Sequence, residues 1–498
     1  MNVNPITRLD YPDLDVIRVE DTYYMVSTTM HFMPGCEILQ SFDLVHWEHA
    51  TYVYETLDHT DAQQLKSGQN IYGQGMWAAS LRYHEGRFYI CFVANDTRKT
   101  YLYTSEKIDG PWKKQLIEGF YHDGSLLFDE DGRNYIVYGN DEIWITELNE
   151  DLTAPKKDGL HRLLVSDHKN PELGYEGSHI QKINGYYYIF LIHSLRDRWM
   201  RTEACFYSDS LEGEFTGGDV LCDDRGYCGQ GVAQGGIVDT PDGKWYAMLF
   251  QDSGAVGRIP ILVPVTWKDH FPVFGQNGHV PEEIEVHSTR PGYIYQPLVG
   301  SDDFCNGLLP RWQFNHDPDP RYYHLDALQG TYTITTREVC TELTQAVNTL
   351  TQRMSYPSCA AEVTVDASAL KEGDVAGLCA LQSCYAAVGI TKHHGKYEVL
   401  MLDKKEDGIL DMTERTVVES HQMDFRLEAD FCNMKDEARC YYRVNKGDWL
   451  PIGTVHKLYF KLDHFTGCRF GLFCYAAEET GGSACFRDFK YYDVDEIS

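Results

Sequence analysis

His179-Ile180-Gln181-Lys182-Ile183-Asn184-Gly185-Tyr186-Tyr187-Tyr188 reads as two strands joined by a tight turn. An apolar segment ends at Ile183, Asn184-Gly185 supplies two residues that tolerate left-handed backbone, and a run of tyrosines follows. The pattern occurs four more times: Val16-Ile17-Arg18-Val19-Glu20-Asp21-Thr22-Tyr23-Tyr24, Ser80-Leu81-Arg82-Tyr83-His84-Glu85-Gly86-Arg87-Phe88-Tyr89, Ser125-Leu126-Leu127-Phe128-Asp129-Glu130-Asp131-Gly132-Arg133-Asn134-Tyr135 and Gly236-Ile237-Val238-Asp239-Thr240-Pro241-Asp242-Gly243-Lys244-Trp245-Tyr246. Turn positions 21, 86, 132, 185 and 243 lie 65, 46, 53 and 58 residues apart. That spacing is long for one hairpin and fits a four-stranded blade with its loops. Five copies therefore predict an all-β chain that opens with a five-bladed β-propeller.

Stepping back nine residues from each turn glycine, and eight from Asp21, reaches Asp13, Trp77, Asp123, Glu176 and Gln234. Equivalent blade positions surround one axis, so these five should meet at one end of the channel. Three are carboxylates, the set needed to cleave an acetal between sugars. One carboxyl protonates the leaving oxygen, another activates water or attacks, and a third charge separates their protonation states.

Composition narrows the partners. The chain has 498 residues and predicts two or three domains. A formal charge of −31 argues against nucleic acid and anionic membranes and favours a neutral substrate, here a small oligosaccharide. The 34 Tyr and 9 Trp suit strands and also stack on sugar rings. Fifteen scattered Cys form no metal-spaced cluster; the pairs Cys222/Cys228 and Cys379/Cys384 do not amount to a disulfide framework. The start, Met1-Asn2-Val3-Asn4-Pro5, lacks the basic and apolar stretches of a leader, and no apolar run reaches a membrane span. These features predict a cytoplasmic protein with reduced thiols. A homo-oligomer is compatible with all of them.

Four segments carry a family resemblance: Tyr11-Pro12-Asp13-Leu14-Asp15-Val16, Trp77-Ala78-Ala79-Ser80-Leu81-Arg82-Tyr83, His122-Asp123-Gly124-Ser125 and Glu176-Gly177-Ser178-His179. They resemble the motifs of glycoside hydrolase family 43, which holds β-xylosidases, α-L-arabinofuranosidases and arabinanases on a five-bladed propeller. Asp21 to Gly35 resembles its β-xylosidase branch. The resemblance implies that Asp13 is the general base, Asp123 the residue that tunes and orients the acid, and Glu176 the general acid, with inversion at the anomeric carbon. It also implies that Arg258 reaches the sugar pocket, where a cation can bond sugar hydroxyls and hold a carboxylate ionised.

Phe32 and Trp77 either stack on the bound pentose or pack in the core. His31 and His179 are either donors behind the sugar-binding groups or satisfied core histidines, the latter reading preferred for His179. The chain departs from much of the family at Leu14, Ala79 and Ser178, where proline is common, and in Val232-Ala233-Gln234-Gly235-Gly236, where many relatives carry a histidine. No metal is expected to be required, although the Gln234 amide oxygen remains an acceptable calcium ligand.

Beyond Gln296 the repeat stops and alternating strands follow, such as Ala360 to Val365, Tyr397 to Leu402 and the aromatic Phe470 to Tyr475. Trp312 to Pro318, Leu350 to Arg353 and Phe486 to Phe489 resemble the C-terminal concanavalin-like β-sandwich (jelly roll) of family 43 β-xylosidases. The expected organisation is a catalytic propeller over residues 1–295 and a sandwich over 302–498. The expected activity is exo-acting, inverting release of xylose from short β-1,4-xylo-oligosaccharides. The alternatives are an α-L-arabinofuranosidase, a bifunctional enzyme, or a non-catalytic sugar-binding propeller.

Overall fold

The computed structural model describes residues 3–493. Met1 and Asn2, part of the stretch read above as leader-free, lie outside the described residues, as does the end of the expected sandwich, 494–498.

Each of the five repeats forms the two inner strands of an antiparallel sheet. Blade 1 runs Asp15–Val19, Thr22–Ser27, Gly35–Ser41 and Glu48–Tyr54. Blade 2 is Met76–His84, Arg87–Ala94, Lys99–Ser105 and Lys113–Ile117, and blade 3 is Ser125–Phe128, Asn134–Asn140, Glu142–Leu148 and His161–Ser166. Blade 4 is Glu176–Ile183, Tyr186–Ser194, Arg201–Ser208 and Thr216–Leu221. In blade 5 the inner edge is split between Val232–Ala233 and Ile237–Asp239, both paired with Trp245–Asp252, followed by Arg258–Lys268 and Phe271–Phe274. At Glu85-Gly86 and Asn184-Gly185 both turn residues have positive φ, the conformation that two-residue hairpins require.

The ring closes through the N-terminal segment. Asn4 donates to the Leu262 carbonyl and accepts from the Leu262 amide, each at 2.8 Å, and the Tyr11 amide donates to the Arg258 carbonyl at 3.0 Å. Along the axis Arg82 ties four blades together. It pairs with Asp15 at 2.6 Å and donates to the Leu126 carbonyl, the Ser125 hydroxyl and the Ile180 carbonyl. Burial opposes ionisation of Asp15, but Arg82 and His179 outweigh it and its pKa is lowered.

The second unit is a sandwich of two antiparallel sheets, one of nine strands and one of seven, with Leu378, Val388, Phe425, Leu427, Leu472 and Phe486 buried between them. Its larger sheet is not built from the C-terminal segment alone. Phe32–Met33, an excursion from blade 1, pairs with Gln313–Asn315 and forms that sheet's edge. The segment between the two units is pinned to blade 1: the Thr289 amide donates to the Phe42 carbonyl at 2.7 Å and Arg290 pairs with Asp21 at 2.8 Å.

A buried ion pair crosses the seam. Arg353 of the sandwich meets Glu37 of blade 1 at 2.8 Å, donates to the Asp10 carbonyl at 2.8 Å and lies over the Tyr11 ring at 4.1 Å. Removing one partner strands the other charge in a dry environment. Arg353→Ala is therefore expected to lower stability by about 3–5 kcal/mol, measurable as an earlier midpoint in guanidinium denaturation followed by tryptophan fluorescence.

Candidate active site

The five positions reached by counting back from the turns share a backbone feature. Asp13, Asp123 and Gln234 have φ of 52°, 48° and 61°, and the residues after Trp77 and Glu176, Ala78 and Gly177, have φ of 27° and 64°. Strand register shifts between Trp77 and Ser80 and between Glu176 and His179, marking a bulge in each of those strands. Such kinks turn side chains out of the sheet toward the axis, and strained backbone of this kind concentrates at functional sites. At Gly177 a Cβ would stand 2.8 Å from the Gln234 side chain, so only glycine fits beside Glu176.

Asp13 is 7% exposed and held from two sides. Its Oδ2 accepts from the Thr28 hydroxyl at 2.7 Å, and its Oδ1 from Arg258 Nη1 at 2.8 Å. Arg258 is 1% exposed and lies over the Phe465 ring at 4.2 Å, with Phe250 and Phe460 at 5.4 and 5.8 Å. Phe460 and Phe465 belong to the sandwich, which thus covers the cation that holds Asp13.

Asp123, 6% exposed, accepts the Gly177 amide at 3.0 Å. Glu176 accepts from Asn140 Nδ2 at 2.8 Å. His122 Nε2 stands between the two carboxylates, 3.6 Å from Asp123 and 3.5 Å from Glu176. The pKa of Asp123 is raised, first by burial and then by the charges of Glu176 and Asp13, against the opposing pull of His122. Asp123 in turn drives the His122 pKa up to about 9, helped by Glu176 and Asp13, so the imidazole is a cation at neutral pH. Like charges this close oppose one another's ionisation, and Asp123 is the carboxyl held above its ordinary range.

A cavity of about 730 Å³ opens at this end of the propeller. Trp77, His122, Asn140 and Glu176 form its inner wall, Trp199, Arg201 and Asp252 an outer wall, and Asp436 and the segment Lys457 to Phe465 of the sandwich its cover.

The sequence profile of Glycosyl hydrolases family 43 matches residues 3–272, and that of the beta-xylosidase C-terminal concanavalin A-like domain matches 301–492. The chain belongs to glycosyl hydrolase family 43 and is a glycoside hydrolase.

Among family 43 relatives, a beta-xylosidase of Formosa agariphila is 27% identical over 99% of this chain and 89% of its own length. A non-reducing end alpha-L-arabinofuranosidase of Bacteroides ovatus is 24% identical over 82% of the chain and 79% of its own. The solved structure of a bifunctional GH43-CE protein of Bacteroides eggerthii superposes with a TM-score of 0.92 at 42% identity; it covers 99% of this chain, which spans 64% of that protein.

Within this family 43 enzyme, the cavity gathers Trp77 and Glu176 on its wall, with Asp13, Asp123 and Arg258 directly behind. Phe32 and His31 are elsewhere. Phe32 is 1% exposed in the core shared with Leu343, Cys379 and Phe473, under the Arg469 guanidinium at 3.5 Å, because its backbone is a strand of the sandwich sheet. It is a seam residue, not a stacking platform for substrate. His31 is fully buried against Phe32, Tyr72 and His316 and lies off the cavity wall. Gln234 packs on Gly177, and its amide donates to the buried Glu203 carboxyl at 2.7 Å; it supports the floor and does not line the cavity. His179 is satisfied by Asp15 at 3.1 Å.

The structure adds His122, Thr28, Asn140, Glu203 and Phe465 to the residues expected from the sequence. His122 adjoins Asp123 and was open to recognition; Phe465 lies far along the chain and carries no local signal.

His122, Asp123 and Glu176 bring ligand atoms within 4.8 Å of one another. Deeper in the channel Asp15 is already neutralised by Arg82.

The charge of His122 has a measurable sign. Its folded pKa lies above the ordinary 6.5, so its stabilisation is complete below about pH 6.5 and fades as pH rises through about 9. His122→Asn should melt earlier than the parent at pH 6, with the gap narrowing by pH 10; a gap of constant size in differential scanning calorimetry would remove the imidazolium from this balance.

Proposed function

We propose that the enzyme releases single xylose units from the non-reducing ends of short β-1,4-xylo-oligosaccharides, with inversion. One observation carries the reading. Glu176 faces the cavity while Asp13, fixed by Arg258, stands behind it, and the sandwich covers that end. A cavity covered on one side by the sandwich supports binding of a chain terminus over a continuous polymer.

Placement supports the proposed roles. Glu176 is the carboxyl placed to deliver the proton, because it lies on the wall whereas Asp123 is buried and occupied by the Gly177 amide. Asp123 holds negative charge beside the acid and orients the Glu176 loop through that amide. Asp13 takes the proton of the attacking water, its carboxylate aimed by Thr28 and Arg258. Trp77 supplies a flat apolar wall for the pentose ring, and Arg258 sets the base. Xylose as the released unit is supported by the name of the Formosa relative; arabinofuranose, by that of the Bacteroides ovatus relative, is the second reading. We also propose a cytoplasmic setting, supported by the fifteen cysteines, all of which are free thiols in the structure.

Glu176→Gln should lose about 10²–10⁴-fold in kcat on xylobiose and far less on an aryl xyloside, whose leaving group needs no proton. Asp13→Asn should lose turnover on both. Proton NMR of the sugar newly released from xylobiose, with an arabino-oligosaccharide alongside, decides the rest. Initial α-xylose supports the proposal, initial β-xylose overturns inversion, and arabinose alone moves the substrate to the second reading.

A further inference from the structure

Phe465 covers Arg258, and its carbonyl accepts from Arg258 Nη2 at 3.4 Å. The residue before it is anchored in a cluster of three buried histidines at the seam between the units. His464 stacks on Tyr72, which lies between blades 1 and 2, with ring centroids 3.9 Å apart and planes 4° from parallel. His31 of the propeller and His316 of the sandwich complete the cluster, their centroids 4.9 Å apart, and His31 stands 5.8 Å from His464. None of the three is more than 4% exposed. The backbones interlock at the same place: a Cβ at Gly73, whose φ is 66°, would stand 2.4 Å from the Leu462 carbonyl oxygen.

Hydrogen bonding fixes the cluster in an uncharged state. His316 Nε2 accepts the Ile71 amide at 3.0 Å, so its proton is on Nδ1, which donates to Asn315 Oδ1 at 3.3 Å. Asn315 Nδ2 donates in turn to the Tyr72 hydroxyl at 2.6 Å. A second proton on His316 would collide with the Ile71 N–H. Both ring nitrogens of His31 are buried without a hydrogen-bond partner, so nothing there accepts from an imidazolium. The charges around the cluster offer it little. Arg469, over the adjoining Phe32 ring at 3.5 Å, repels a further cation, and the Asp463 carboxylate is taken by the Ser383 and Tyr459 hydroxyls. Asp317 is bound to His59 at 2.8 Å and Glu342 to Lys404 at 2.7 Å, while burial pushes the Tyr72 phenol and the Cys379 thiol up and keeps both neutral. Burial lowers the pKa of all three histidines, that of His464 to about 3, and the neighbouring positive charges lower His31 further.

We infer that this cluster is a lock that seats Phe465 on Arg258 only while its histidines are uncharged, so that acid releases the cover from the arginine that aims Asp13. The inference rests on the proposed role of Asp13 as base. His31, His316 and His464 are positioning residues, acting on Asp13 through Phe465 and Arg258. Once the seam separates, each imidazole regains its ordinary pKa of about 6.5, so the open form takes up protons that the closed form refuses. The closed form therefore keeps its full stability above about pH 6.5 and loses up to about tenfold per histidine for each pH unit below it.

His31→Phe tests the lock, because it keeps a flat ring where neither nitrogen has a partner. Guanidinium unfolding of the full-length chain at pH 8 and pH 5 needs no substrate and reads the lock whether or not the proposed activity holds. Relative to the parent, the unfolding constant of His31→Phe should fall about thirtyfold between pH 8 and pH 5, the effect of one proton over about 1.5 pH units. His464→Phe, which keeps the stack on Tyr72, should behave alike. With p-nitrophenyl β-xyloside as substrate, the acid limb of kcat/KM should move to lower pH in both variants. A parent-to-variant ratio of unfolding constants that does not change with pH would reduce the cluster to packing and overturn the inference. An acid limb that neither variant moves would uncouple the lock from the base and overturn it likewise, with the proposed function standing. A parent without turnover at any pH would overturn the proposed function and, with it, the coupling to Asp13. Should one variant fail to fold, the other decides.

Discussion

Arg258 is a full positive charge at almost no exposure, and the site is organised around satisfying it. One guanidinium edge takes Asp13, its backbone amide takes Asp10 at 2.8 Å, and its face is covered by Phe465 from the other domain. A buried cation without these partners would cost several kcal/mol. The same contacts aim Asp13, the proposed base, close the inner end of the cavity and seat the sandwich. Base orientation, exclusion of solvent and domain docking are therefore one constraint viewed from three sides.

A second balance operates a few residues away. Three carboxylates near one cavity repel one another, and with a formal charge of −31 the rest of the molecule offers no relief. His122 answers this locally as an imidazolium between Asp123 and Glu176. Arg82 answers it deeper in the channel by occupying Asp15. Each cation lies beside a carboxylate that the fold holds close to others. The electrostatic field is thus built from a few short contacts rather than from net charge.

The propeller was legible because hairpin turns are local: Asn184-Gly185 and Glu85-Gly86 announce their backbone in two residues, and counting from them reaches the kinked positions. Asp13, Asp123 and Glu176 emerged by that route, since equal blades repeat equal geometry. Phe32 and His31 did not, because nothing within a few residues of Met30 reveals that the chain leaves blade 1 to pair with Gln313–Asn315. Gln234 occupies the expected blade position, but its side chain fills the space left by Gly177 and its backbone amide is held by Glu203, so it does not reach the cavity wall. Phe465 and Asp436 lie more than four hundred residues from Asp13, and only packing across the seam brings them to it. What the sequence withheld was what two domains make together.

The strand Phe32–Met33, donated by blade 1 to the sheet of its neighbour, bears on how such chains diversify. A module joined only by a linker can be exchanged between genes at the linker. Here a cut between the units would leave one sheet without its edge and expose an aromatic side chain under Arg469. The pair is inherited as one piece. A module joined to this pair would have to attach outside the shared sheet, and a substitution along the seam touches both units at once.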